Sequence, residues 1–153
     1  NLLNKWYKSP IKIVSHIEGT KITPSLVENR IKELKISSRD KVYTFLMYDM
    51  DVEVVNEKLL KCKAEMLLSN PCFEIWLLLH IKDQKTAIKT DALIKELKKI
   101  APVWKNYNKS AFTDTQQSCL KDNTDVAVIR AKGLCEFQNP STGIYKLIEM
   151  LKK

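Results

Sequence analysis

Apolar and polar positions along the chain fall into short runs of period two and longer segments of helical period. The opening stretch Asn1 to Ser9 (NLLNKWYKS) has the pattern of a helix tail, and Pro10 ends it. Ile11 to Ile17 (IKIVSHI) alternates in the manner of a strand, and Glu18-Gly19 turns the chain. Thr23 followed by Pro24 supplies an N-cap and a proline at the first helical position, which predicts a helix to about Lys35 with Val27, Ile31 and Leu34 on one face. Val42 to Tyr48 (VYTFLMY) is uncharged and rich in β-branched and aromatic residues, the composition of a strand buried on both faces, and it ends at Asp49.

The alternation continues. Glu53 to Cys62 predicts a helix through Val55, Leu59 and Cys62, and Met66-Leu67-Leu68 predicts a further strand. Asn70-Pro71 then introduces an apolar helix, Cys72 to Ile81, with Asn70 as its cap and Glu74 in its first turn. The order β, α, β, α, β, α points to an α/β fold with a mostly parallel central sheet and flanking helices. Downstream the pattern is helical. Thr90 to Ile100 uses Leu93, Ile94, Leu97 and Ile100, Val103 to Ser110 reads as a loop, and Asp114 to Glu136 has helical period through Cys119, Val126, Ile129 and Leu134. Asn139-Pro140-Ser141-Thr142 caps a last helix containing Ile144, Leu147, Ile148 and Leu151.

Composition narrows the class. A chain of 153 residues has the length of a single domain, and 44% hydrophobic with 29% charged residues suits a folded protein. The longest apolar run, Ile75 to Leu79, is far short of a membrane span, and the start shows no signal-peptide pattern, so a cytoplasmic location is expected. Cys62, Cys72, Cys119 and Cys135 lack C-x-x-C spacing and read as reduced, mostly buried thiols, while His16 and His80 offer no zinc spacing. The formal charge of +8 favours a polyanionic partner such as nucleic acid. The competing reading is a compositional bias toward Lys, because Arg occurs only at positions 30, 39 and 130.

The sharpest chemical signal is Asp49-Met50-Asp51 after the Val42 to Tyr48 run. In a parallel sheet the carboxyl ends of strands open onto the ligand crevice, and alternation sends Asp49 and Asp51 to one side and Met50 to the other. Two such carboxylates suit a hard cation, Mg²⁺ or Mn²⁺, that completes its shell with water and phosphate oxygens. Alternatively, one Asp caps a helix and the other is simply solvated.

The stretch Leu68 to Ile81 (LSNPCFEIWLLLHI), together with Asp49-x-Asp51 and the later Asn139-Pro140-Ser141-Thr142, resembles the RloB-like family over most of the chain. The resemblance implies a Toprim-like Rossmannoid core, an association with bacterial restriction and abortive-infection loci, and a neighbouring ATPase of the AAA or ABC type as partner. It also implies a Glu-Gly motif at the end of a first strand. With only one βα unit before Asp49, that strand is expected upstream of Asn1, with Glu18 as a minor candidate for the third carboxylate. Val52 and Glu53 depart from the family's usual charge pattern after the DxD motif.

Four further positions carry candidate roles. Glu74 is either a site carboxylate or a complement to the helix dipole. His80, six residues on, projects away from Glu74, so the two cannot face one metal; it is retained as a catalytic candidate through its match to the family motif. Ser69 and Asn70 shape the crevice loop as substrate-binding candidates. No P-loop, nucleophile elbow or Cys/His dyad is present, so ATP hydrolysis by this chain is not expected. The expected function is a Mg²⁺-dependent, phosphodiester-cleaving effector module of an anti-phage system. The alternative is a non-catalytic module that binds nucleic acid or docks an ATPase.

Overall fold

A computed structural model describes residues 2–7 and 12–152. The opening helix α1 spans Leu2–Tyr7; Pro10 and Ile11, expected to stop it and to start a strand, lie outside the described residues. Residues 12–18 form no strand. Val14 is exposed and Ile17 fully so, which means that the alternation of this segment has no buried face to match. A 3-10 turn at Gly19–Lys21 leads to α2 (Pro24–Glu33), where the Thr23 Oγ1 accepts the Leu26 amide as the sequence predicts.

The central sheet is smaller than expected. β1 (Phe45–Leu46) pairs in parallel with β2 (Glu65–Met66) in a two-stranded sheet. Backbone bonds carry the pairing further, from the Glu65 amide on the Thr44 carbonyl to the Met50 amide on the Ser69 carbonyl. The expectation that Val42 to Tyr48 is buried on both faces is corrected: Leu46 is buried, whereas Val42, Tyr43 and Met47 are exposed. The physical reason is that one face alone is well covered: Leu46 and Tyr48 pack in an apolar cluster with Val55 and Leu59, whereas Tyr43 and Met47 lie on the other face.

Between these strands lies α3 (Glu53–Leu59), which turns Val55 and Leu59 inward. With Ile22, Val27, Leu46, Cys62, Met66 and Leu68 they form one of two apolar clusters, and Tyr48 and Met50 pack against it. After β2 the chain continues straight into β3 (Ser69–Asn70), which changes partner and pairs antiparallel with β4 (Ser141–Thr142). The Asn139-Pro140-Ser141-Thr142 segment therefore supplies a strand before the last helix, α7 (Ile144–Leu151), instead of capping it directly; the N-cap is Gly143. That glycine is required for close approach, because a Cβ there would sit 2.7 Å from the Met66 carbonyl oxygen. Its amide meanwhile donates to the Leu68 carbonyl.

The larger cluster is built on α4 (Glu74–Leu79), every residue of which is buried. Leu77, Leu78 and Leu79 are each 0% exposed, and full burial of such side chains stabilises by about 1.5–3 kcal/mol apiece. A helix apolar on all sides needs neighbours all round. α5 (Thr90–Ile100) contributes Leu93 and Leu97, α6 (Asp114–Lys132) contributes Leu120, Ala127, Val128 and Ala131, and α7 adds Ile144 and Ile148. The periodicity predicted for this segment holds in part: Cys119 and Leu134 pack against the cluster, but Val126 and Ile129 are exposed, and the buried stripe runs through Gln116, Leu120, Thr124 and the alanines. Thr124 is accommodated because its hydroxyl donates to the Leu120 carbonyl, 2.7 Å away. No described helix is long and apolar enough to cross a membrane. The four cysteines are free; Cys62 and Cys72 are buried, while Cys119 is half-buried and Cys135 exposed.

Candidate functional site

Asp49 stands where the parallel ladder ends, opposite Ser69 in an isolated parallel bridge. Its neighbour Met50 packs into the smaller apolar cluster, and Asp49 reaches the other way to the start of α4, where its Oδ1 accepts the Phe73 amide at 2.6 Å. Asn70 was expected to serve that end of the helix. Instead the Asn70 amide group donates to the Phe137 carbonyl at 2.9 Å, joining β3 to the turn before β4, and α4 has no side-chain N-cap bond. Asp49 thus takes a part that the sequence gives to Asn70. Asp51 is exposed and contributes to the field felt by Asp49.

Glu74, the residue after the Phe73 amide that Asp49 accepts, is 1% exposed, and its charge is felt at Asp49. Its Oε1 accepts from the Tyr107 hydroxyl at 3.1 Å and from the Lys109 ammonium at 3.1 Å. Its Oε2 is buried without a hydrogen-bond partner. Burial alone would raise the carboxyl pKa, but the nearby Cys72 thiol, the Lys109 ammonium and the helix amide outweigh it and hold Glu74 below the usual carboxylate range. Asp49 moves the opposite way. Burial pushes its pKa up, the Phe73 amide opposes this, and the charges of Glu74 and Asp51 add to the rise. Burial, followed by the neighbouring Glu74, pushes the Cys72 thiol up to about 12, so it is no nucleophile at neutral pH.

Tyr107 and Lys109 were missed by sequence reasoning, which saw only a loop there. The loop is rigidly made. A 3-10 turn, Pro102–Trp104, buries Trp104 completely, and Trp104, Tyr107 and Phe112 pack ring against ring with centroids 5.8–6.3 Å apart. Thr113 and Gln116 form a capping box at the start of α6, and the Gln116 amide group also donates to the Val103 carbonyl at 3.0 Å. The signal available in the sequence was the interleaving of Trp104 and Tyr107 with Lys105 and Lys109.

The remaining candidates stand apart from this cluster. His80, at the far end of α4, lies about 9 Å along the helix axis from Glu74. Its Nδ1 bonds the Trp76 carbonyl at 2.8 Å and its ring meets Trp76 edge-on. Burial and the nearby Arg130 lower its pKa to about 4, so the ring is neutral and Nδ1 carries the proton given to Trp76. The Ser69 hydroxyl is buried against that of Thr142, 2.9 Å away, and serves the β3–β4 junction. Glu18 is held by the Arg30 guanidinium at 2.7 Å. A cleft of about 480 Å³ lies at the opposite, amino ends of β1 and β2, lined by Thr44, Glu65 and Lys146 among others, and does not include Asp49.

The donors at the site are hard oxygens. Among the described residues no three His, Cys, Asp or Glu side chains form a cage for a metal. Asp49 spends Oδ1 on the Phe73 amide and Asp51 is open to solvent, and both offer carboxylate oxygens of the type that Mg²⁺ takes. Comparison with known proteins adds one finding: no curated protein and no solved structure matches the chain, whereas the model of the RloB-like protein family matches residues 3–151. The chain, which shares that family's sequence pattern over nearly its whole length, therefore belongs to the RloB-like protein family.

Proposed function

We propose that this chain carries the acidic site of a Mg²⁺- or Mn²⁺-dependent phosphodiester-cleaving module, of Toprim-like type, acting on nucleic acid in a bacterial abortive-infection system beside a partner ATPase. The observation that supports it most is that Asp49, at the carboxyl end of the parallel ladder, accepts the Phe73 amide next to the ionised and buried Glu74, with the exposed Asp51 two residues on. Family membership supports the biological setting. Asp49 and Asp51 would hold the cation, which when bound supplies Lewis-acid polarisation of a phosphate and a more acidic water. The Phe73 amide fixes the Asp49 carboxylate. Glu74 keeps its negative charge because Lys109 and Tyr107 satisfy one of its oxygens. The chain's net charge of +8 draws the polyanionic substrate to a site whose own carboxylates would repel it without the cation.

A second reading follows from the hydrogen bond itself. Asp49 receives an amide and Glu74 two side-chain donors, as in a purely structural network, and the chain would then bind nucleic acid or an ATPase without cleaving. Incubating the protein with DNA and RNA oligonucleotides in Mg²⁺ or Mn²⁺ separates the two. The enzyme reading predicts cleavage abolished by EDTA and by Asp49→Ala. Binding without cleavage in either metal supports the second reading and rejects the first.

A further inference from the structure

Of the basic side chains, Lys109 occupies a particular place. Its ammonium bonds a carboxylate that is 1% exposed, while its own side chain is 63% exposed, so the charge stands at the boundary between the buried cluster and solvent. A lysine ammonium has three protons. Glu74 Oε1 takes one, which orients the group and leaves two for an anionic ligand arriving from solvent. Glu74 cannot move to follow a ligand. It is enclosed within α4 and bonded by the hydroxyl of Tyr107, whose ring is held in the aromatic trio. Asp49 accepts the amide of Phe73, the residue before Glu74, so the carboxylate that Lys109 bonds adjoins the carboxyl end of the ladder, and the Lys109 charge is felt at Asp49.

We propose that Lys109 is the phosphate-holding residue of the Asp49 site, with Glu74 and Tyr107 as the positioning residues that fix its ammonium to take a non-bridging oxygen of a nucleic-acid backbone phosphate. The proposal rests on reading that site as one for phosphodiesters. The charges suit it. Three carboxylates and one ammonium leave a deficit of two, which a divalent cation neutralises; the phosphate then bridges the cation side and the ammonium side. Lys105 is exposed in the same loop and is not an ion-pair partner of Glu74, so it provides a charge-matched control.

The test is binding of a fluorescent oligonucleotide in Ca²⁺ across a salt series, with Mn²⁺ binding measured separately. Lys109→Met is expected to weaken oligonucleotide binding about tenfold, the scale of one charge-assisted contact, and to reduce the salt slope by about one. Lys105→Met is expected to change it less than about threefold, within the range of a peripheral charge. Lys109→Arg should recover most of the loss, which a merely structural role would not require. Lys109→Met leaves Glu74 charged and buried, so Glu74→Gln/Lys109→Met, which removes both charges, serves as the second variant and is expected to show the same loss. Equal binding by wild type and both Lys109→Met variants, equal losses at Lys105 and Lys109, or no oligonucleotide binding by wild type would each overturn the proposal. Failure of the metal-site reading looks different: Mn²⁺ binding unchanged by Asp49→Ala, with the Lys109 dependence of oligonucleotide binding intact.

Discussion

His80 gives a stability effect that can be worked from the structure. The ring is 3% exposed and its pKa falls to about 4 from an ordinary 6.5. A histidine kept neutral in the fold takes its proton more readily in the unfolded chain, so acid favours unfolding. Its contribution is complete above the ordinary value and is lost as pH falls from there toward about 4. At about 1.36 kcal/mol per tenfold, the gap amounts to roughly 3 kcal/mol in all, with about 2 kcal/mol lost between pH 7 and pH 5. Urea unfolding of wild type and His80→Phe at these two pH values isolates the effect, because other groups titrate in both proteins. The variant should have its stability fall by about 2 kcal/mol less than wild type over that range. Parallel pH dependences would refute the reasoning and would mean that the ring is solvated, which would return it to consideration as an acid or base.

Other outcomes follow from packing and charge. Trp76, 6% exposed between the helices of the larger cluster, should cost about 3–5 kcal/mol when truncated to alanine; a change under about 1 kcal/mol in urea unfolding would place it on the surface. Gly143→Ala forces a Cβ onto the Met66 carbonyl and should destabilise by about 1–3 kcal/mol, with a midpoint equal to wild type contradicting the close approach. Because burial raises the pKa of Asp49, protons compete with a divalent cation at a higher pH than for a free aspartate. Mn²⁺ affinity should therefore decline on acidification sooner than that of a small aspartyl peptide, and calorimetry at several pH values checks this.

Much of the fold was legible where local rules and tertiary packing agree. Thr23-Pro24 starts α2 and Thr90–Ile100 is a helix over the predicted span, since capping and periodicity are written in a few neighbouring residues. The parallel pairing that ends at Asp49 was also legible, although not its coverage: exposure of Tyr43 and Met47 depends on what packs on their face of the sheet, which no residue in Val42 to Tyr48 encodes. The buried face of α6 was misread because it is lined by Gln116, Thr124 and alanines, which look polar or neutral until their hydrogen bonds and close helix contacts are known. That Asp49 ends a strand and Glu74 opens a helix was readable, but the Phe73 amide that joins them was not. Tyr107 and Lys109 were not readable either, because a loop more than thirty residues after Glu74 is brought back by an aromatic cluster, a long-range event without local periodicity.

The proposed function requires that Asp49 and Asp51 hold a divalent cation at the end of the β1–β2 ladder. Isothermal titration of Mn²⁺ into wild type and into Asp49→Ala/Asp51→Ala, with folding of both confirmed by urea unfolding, measures this. Saturable binding of one ion to wild type and its loss in the double variant are expected. Binding of the same affinity and stoichiometry in both proteins, or none in wild type, would contradict it.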